Sequence, residues 1–128
     1  MKKVLLLIMA IFLVSSLTAC TKTYTDINNE ELETMLASKD DYQFIDVRTS
    51  TEFYEEHIPG FYTVIDYYIL EDDYSIIDLY DLDASKPLVI MCNSGNRSVS
   101  AAGIFYAEGF TEIYNLKDGI QGWDGETE

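Results

Sequence analysis

Short apolar runs along this chain alternate with stretches whose apolar positions recur at helical spacing. Leu88-Val89-Ile90-Met91, entered through Pro87, is a continuous, partly β-branched run that predicts a buried strand ending at Cys92. A helical pattern follows at once. Val99, Ala102, Gly103 and Tyr106 recur at helix-face spacing, Ala101, Ala102 and Ala107 favour the helix, and Gly109 stands where a glycine stop belongs. Upstream, Asn28-Asn29-Glu30-Glu31 predicts a helix start with a capping partner, and Leu32, Met35 and Leu36 supply its buried stripe. Gln43 to Val47 reads as the next strand; Thr49 or Ser50 then caps a short helix through Glu56 whose Phe53 points inward, and Pro59-Gly60 turns the chain. This alternation predicts an α/β fold with a largely parallel central sheet and helices on both faces. Ligands in such sheets bind at the carboxyl ends of strands, and Cys92 sits at one.

The first apolar segment is of a different kind. Lys2 and Lys3 precede Val4 to Val14, and Leu17-Thr18-Ala19-Cys20 supplies the small residues and cysteine of a bacterial lipoprotein cleavage box. Residues 1–19 are therefore expected to be a signal peptide and not a structural helix. Cys20 becomes the expected lipidation site, and its acyl chains would hold the protein to a cell membrane on the extracytoplasmic side, in the envelope or periplasm. An uncleaved membrane helix, or cleavage elsewhere, is the alternative. The expected organisation is a signal peptide over 1–19, a lipidated tether over 20–25, one domain over 26–124 and a tail over 125–128.

Charge narrows the partners. With 8 Lys and Arg against 23 Asp and Glu the chain carries a net charge of −15 with its one histidine neutral, and loss of Lys2 and Lys3 leaves −17. Nucleic acid is disfavoured as a partner, because no basic patch is available to neutralise phosphates. An anionic lipid surface repels such a domain too, so lipid chains would have to supply the membrane attachment.

The chemistry concentrates in Cys92-Asn93-Ser94-Gly95-Asn96-Arg97-Ser98, between the strand end and the helix start. The first N–H groups of a helix lack internal partners, so a loop wrapped above them rings the cysteine sulfur with donors and favours thiolate over thiol. Arg97 adds a permanent cation with forked donors, which strengthens that preference and offers a seat for an anionic oxygen or sulfur group. Ser94, Gly95 and Asn96 suit the tight turn. The competing view is a buried structural cysteine, which has no need of the glycine and arginine that follow.

Around this loop the chain resembles the single-domain rhodaneses of the sulfurtransferase superfamily, in four segments. Phe44-Ile45-Asp46-Val47-Arg48 resembles the family's strand ending in Asp-Val-Arg, and Glu52-Phe53 with His57-Ile58-Pro59-Gly60 resembles its Glu-aromatic and His-Ile-Pro-Gly segment. Cys92 to Ser98 is similar to the active-site loop, while Gly109-Phe110, Tyr114-Asn115-Leu116, Gly119-Ile120 and Trp123 resemble the closing signature. Together they span most of residues 24–123. The resemblance implies a three-layer rhodanese-like fold and sulfane-sulfur chemistry at Cys92, with residues 93–98 holding the persulfide. It implies supporting places for Asp46 and Arg48 behind the loop. Four residues separate Cys92 from Arg97, one fewer than in the family's phosphatase relatives, so the ring suits sulfur better than phosphate. Where the family continues with a small residue and soon an asparagine after Pro-Gly, this chain has Phe61-Tyr62-Thr63-Val64-Ile65-Asp66, so the third strand is expected to shift. The stretch from Tyr67 to Ser85 is idiosyncratic, acidic and rich in tyrosine.

Once Cys20 is lipidated, Cys92 stands alone, so no internal disulfide forms and an external thiol must turn the site over. The expected activity is sulfur transfer from thiosulfate or a persulfide donor to a thiol or cyanide, with a protein persulfide partner as the other source, and no cofactor or metal. The acidic field slows encounter with dianionic thiosulfate, which favours a neutral donor or a basic-faced protein. A non-catalytic docking module and a thiol redox or detoxification enzyme are the alternatives. For Asp46 and Arg48 an ion pair with an acid such as Glu52 is expected, and for His57 a structural turn. The acids from Glu71 to Asp83 read as a solvated face without calcium-loop spacing, the tyrosines as core or rim, and Trp123 as packing on a terminal helix.

Overall fold

The structure, a computed structural model, describes residues 22–128; Cys20 and the segment read as a signal peptide lie outside the described residues. Among the described residues five strands carry the fold: β1 Thr25–Ile27, β2 Gln43–Asp46, β3 Thr63–Val64, β4 Leu88–Met91 and β5 Ile113–Leu116. They lie in the order β1-β5-β4-β2-β3 with every neighbouring pair parallel. Four helices cover the two faces: α1 Asn29–Ala37, α2 Ser50–Glu55, α3 Tyr67–Asp72 and α4 Asn96–Ala107.

Strand alternation divides the core in two. From the central β4, Leu88 and Ile90 point with Cys92 into a cluster completed by Leu70 of α3 and Ala101, Ala102, Ile104 and Phe105 of α4. Val89 and Met91 point the other way, to Leu32 of α1, with Trp123 packed beside them. The run Leu88–Met91 is apolar throughout because both faces are covered. Helix starts fall where expected: Asn28 and Glu31 form a reciprocal capping box on α1, and of Thr49 and Ser50 it is Thr49 that caps α2, in a box with Glu52 that the sequence reading did not name.

Several expectations are corrected in detail. Helix α4 buries Ser98, Ala101, Ala102, Ile104 and Phe105, whereas Gly103 and Tyr106 face outward. Small residues made two stripes available, and the one carrying isoleucine and phenylalanine removes more apolar surface from water. Phe53 is half-buried, stacked on His57 with ring centroids 4.0 Å apart, and does not enter the core. The segment after Gly60 differs from the resemblance because Phe61 fills the second core cluster, edge-on to Phe44 at 5.3 Å. β3 is thereby reduced to two residues at the sheet edge, paired to β2. Trp123 follows a short 3₁₀ turn, Ile120–Gly122, where a terminal helix was expected, and its indole N–H donates to the Glu126 carbonyl at 2.9 Å.

The acidic stretch has a local logic. The Asp66, Asp73 and Asp83 carboxylates accept from the N–H groups of Tyr68, Ser75 and Ser85, each two residues on. The three aspartates thus start α3, the 3₁₀ helix Tyr74–Leu79 and the turn leading into β4.

Candidate active site

Cys92 leaves β4 at its carboxyl end and is 1% exposed. The Gly95 N–H donates to its Sγ at 3.1 Å, and the Ser98 hydroxyl oxygen lies 3.3 Å away. Of the donors expected from Asn93 to Ser98, the Gly95 N–H is the main-chain group within hydrogen-bond reach of the sulfur. Gly95 reaches it by a left-handed backbone, φ 95°, and a Cβ there would collide with the Lys117 carbonyl, so only glycine fits. The loop is held from behind: Ile120 and Gln121 donate their N–H groups to the carbonyls of Cys92 and Asn93 at 2.9 and 3.0 Å. Gly119 makes that approach possible, since a Cβ on it would strike the Asn93 carbonyl. Ser94 and Asn96 stand at the exposed rim, and Asn93 is half-buried.

Arg97 is not alone. Its Nη1 and Nη2 donate to Glu52 Oε2 and Oε1 at 2.9 and 2.8 Å, a two-pronged pair, and its guanidinium lies 5.7 Å from the Tyr68 ring centroid. Glu52 is turned to meet it by the α2 cap, where its Oε2 accepts from the Thr49 N–H and hydroxyl, both at 3.0 Å. The Arg97 hydrogen bonds hold the Glu52 carboxyl down at about 2, with help from the Thr49 donors and against partial burial. The same pair raises Arg97 further above its ordinary value. The fork expected to seat an anion is thus occupied by a carboxylate of the chain itself.

Asp46 and Arg48 form a separate, buried centre. Arg48 Nε donates to both Asp46 oxygens at 3.1 Å and Nη2 to Oδ2 at 2.8 Å. Nη2 also donates to the Glu56 carbonyl at 2.8 Å and Nη1 to the Glu52 carbonyl at 3.4 Å. The carboxylate partner is therefore Asp46; Glu52 gives Arg48 only its main-chain oxygen. The expected ion pair is present with a different acid, because Asp46 is two residues away on the same strand end. The centre touches the tail of α2, whose first turn carries Glu52 to Arg97.

The sequence reading missed a polar chain that runs from the sulfur through buried Ser98 and Asn115 to half-buried Asp26. Ser98 donates its hydroxyl to Asn115 Oδ1, and Asn115 Nδ2 donates to Asp26 Oδ1 at 2.9 Å. Ser98 is fully buried, Asn115 is 1% exposed, and Asp26 stands opposite Asn115 in the β1–β5 register. The available signal was an asparagine inside Ile113-Tyr114-Asn115-Leu116, since a buried strand tolerates an amide only where partners wait for it. His57 has its ring nitrogens at the Phe53 carbonyl and the Glu128 carboxylate, both at 3.1 Å, as suits a turn residue.

A parallel α/β domain that sets a donor-capped cysteine between a strand end and a helix start defines a class of folds with a candidate nucleophile at the carboxyl edge of the sheet. Residues 28–126 match the family model described as the rhodanese-like domain, and the chain belongs to that family. Among relatives, it is 37% identical over 84 residues to "Thiosulfate sulfurtransferase GlpE" of Pseudomonas aeruginosa, covering 63% of this chain and 68% of that protein. It is 30% identical over 103 residues to "Putative sulfur carrier protein YrkF" of Bacillus subtilis, covering 80% of this chain and 52% of that one. The fold is similar to a rhodanese-like domain protein from Staphylococcus aureus, with a TM-score of 0.65 and 25% identity over 80% of this chain and 93% of that one. It is likewise similar to the human single-domain sulfurtransferase TSTD1, with a TM-score of 0.64 and 25% identity over 77% and 93% of the two chains.

Proposed function

We propose that this protein is a sulfurtransferase that carries sulfane sulfur as a persulfide on Cys92. The observation that carries the reading is the Gly95 N–H aimed at Cys92 Sγ at the strand end, in a loop fixed by the β5 turn. The names of the relatives support the same reaction class. In the first half-reaction the Cys92 thiolate attacks the outer sulfur of a donor such as thiosulfate, the donor S–S bond breaks, and sulfite leaves with the electron pair. In the second, a thiol or cyanide takes the outer sulfur and returns the thiolate. The preorganised Gly95 N–H holds the Cys92 sulfur, and Arg97 beside the loop stabilises the charge that develops on the outer sulfur.

The donor must contend with Glu52. An anionic donor has to share or displace that carboxylate to use the Arg97 fork, in a chain already at −15. A neutral polysulfide or the persulfide of a basic-faced protein meets no such competition, and these are the proposed donors alongside thiosulfate. The proposal includes attachment to the outer side of a membrane through lipid on Cys20.

Intact-mass measurement after thiosulfate, or after a persulfide donor, and then after cyanide tests the reading. One sulfur atom gained on Cys92 and removed by cyanide is the expected result, absent in Cys92→Ser. Transfer retained in that variant overturns the covalent mechanism.

A further inference from the structure

Helix α3 stands beside the reactive loop. Its first turn is tied to the end of β2 by the Tyr67 N–H, which donates to the Val47 carbonyl at 3.0 Å, and its Leu70 is fully buried in the core shared with α4. Tyr68 reaches the loop itself, with its ring centroid 5.7 Å from the Arg97 guanidinium. A helix held at both points presents a defined outer face. That face carries Tyr68 and Ile69, 54% and 52% exposed, with the exposed acids Glu71 and Asp72 one turn on. Apolar side chains scattered singly over a surface need no explanation. These two are adjacent, and they border a loop whose reacting sulfur is withdrawn from solvent.

Charge selects what covers this face. From Thr49 to Ser85 the chain has ten acidic residues and no lysine or arginine. A second copy of the chain brings a net charge of −15 and is repelled, as is an anionic lipid surface. A cationic partner is attracted, and Arg97 does little to oppose it, since both its Nη groups lie on Glu52. We infer that the outer face of α3 docks a basic protein segment that brings a cysteine persulfide to Cys92. Lysine and arginine have apolar stems and cationic heads, so the same partner side chains pack on Tyr68 and Ile69 and reach Glu71 and Asp72.

The transfer rests on the persulfide chemistry proposed above; the docking does not. In the exchange the Cys92 thiolate bonds to the outer sulfur of the partner's persulfide, the S–S bond within that persulfide breaks, and the partner's cysteine leaves with the electron pair as a thiolate. One persulfide is formed for each one consumed, so no oxidant or reductant is needed. The carboxylates of α3 set the rate of encounter, and the two apolar side chains hold the docked partner while the exchange occurs.

Two synthetic peptides serve as probes, each with a single cysteine, flanked by lysines in one and by serines in the other. With the cysteine alkylated and a fluorophore attached, anisotropy reads docking on the full chain without any chemistry. With the cysteine persulfidated, the rate of Cys92 loading reads delivery, beside a neutral dialkyl polysulfide that needs no docking. The chain is expected to bind the lysine peptide about tenfold tighter than the serine peptide at low salt, and to lose that preference near 1 M salt, where screening acts within about 3 Å. Asp72→Lys is expected to cut binding of the lysine peptide and loading from it about tenfold, and Ile69→Ser several-fold, with loading from the polysulfide unchanged. Glu33→Lys makes the same change of charge on α1, over the other core cluster, and is expected to leave the lysine peptide within about twofold. Equal affinity of the parent for both peptides overturns the inference, as does unaltered affinity in Asp72→Lys. An equal loss in Glu33→Lys also overturns it, since the attraction is then one of net charge alone. A dimer of the parent that Ile69→Ser dissolves gives the face to a second copy and overturns it too. Selective docking on α3 with Cys92 loaded by no donor upholds the docking and rejects the sulfur-transfer reading instead.

Discussion

Arg48 and Arg97 are both gripped by a carboxylate through two prongs, yet they sit in opposite circumstances. Arg48 is enclosed behind β2, with side-chain exposure of 5%, and its fork is divided among Asp46 and the carbonyls of Glu52 and Glu56. The two carbonyl contacts tie down the end of α2, and the others hold Asp46. Arg97 is more open at 18%, beside the reactive loop, with both Nη groups on Glu52 and Nε not committed to it. The first pair is enclosed, and the second is the one that the proposed function requires an anionic donor to share or displace. Glu52 joins them: its main-chain oxygen belongs to the buried centre and its carboxylate to the loop.

The strongest way to break this contrast is to remove Asp46. Asp46→Ala strands a buried guanidinium and is expected to cost about 3–5 kcal/mol, read as a lower urea midpoint, while sulfur loading per folded molecule changes only a few-fold. A stability loss below about 1 kcal/mol would show that Arg48 finds water and that the centre is not structural. Next in size, Arg97→Lys keeps the charge and loses the fork. Formation of the Cys92 persulfide is expected to slow by about 100-fold, with stability nearly unchanged. The smallest change sharpens the contrast. Glu52→Gln still serves the α2 cap but no longer competes as an anion, so loading from thiosulfate is expected to rise several-fold relative to a neutral polysulfide. The same variant has a signature in acid. Glu52 is held at about 2, below the ordinary 4.5, so its contribution to stability is complete above pH 4.5 and disappears as pH falls toward 2. Urea midpoints of the parent are expected to fall more steeply through that window than those of Glu52→Gln.

Much of this was legible in the chain where the information is local. Leu88 to Met91 announce a doubly covered strand, and Asn28 with Glu31, and Thr49 or Ser50, announce helix starts, because each rests on residues within one turn or one strand. The phase of α4 was not legible, since alanine, serine and glycine weigh almost nothing on either side of a helix until Phe105 finds the sheet. The partners that complete the site lie farther away. Arg97 and Glu52 are 45 positions apart, Ser98 and Asn115 are 17, and Asn115 and Asp26 are 89. Local pattern names the cysteine and its arginine. Which carboxylate holds the arginine, and which way a serine hydroxyl turns, follow from a topology that sets β1 against β5.

The grip of Ile120 and Gln121 on the loop carbonyls fixes an order of events during synthesis. A nascent chain on the ribosome that has just presented Cys92 has neither the segment that donates to those carbonyls nor the strand that β1 needs as its neighbour. Its thiol is an ordinary one, without cradle or cover. Only when residues 113–121 emerge do β1, the cysteine loop and the turn after β5 lock together, so the cradle is assembled from segments far apart in the order of synthesis.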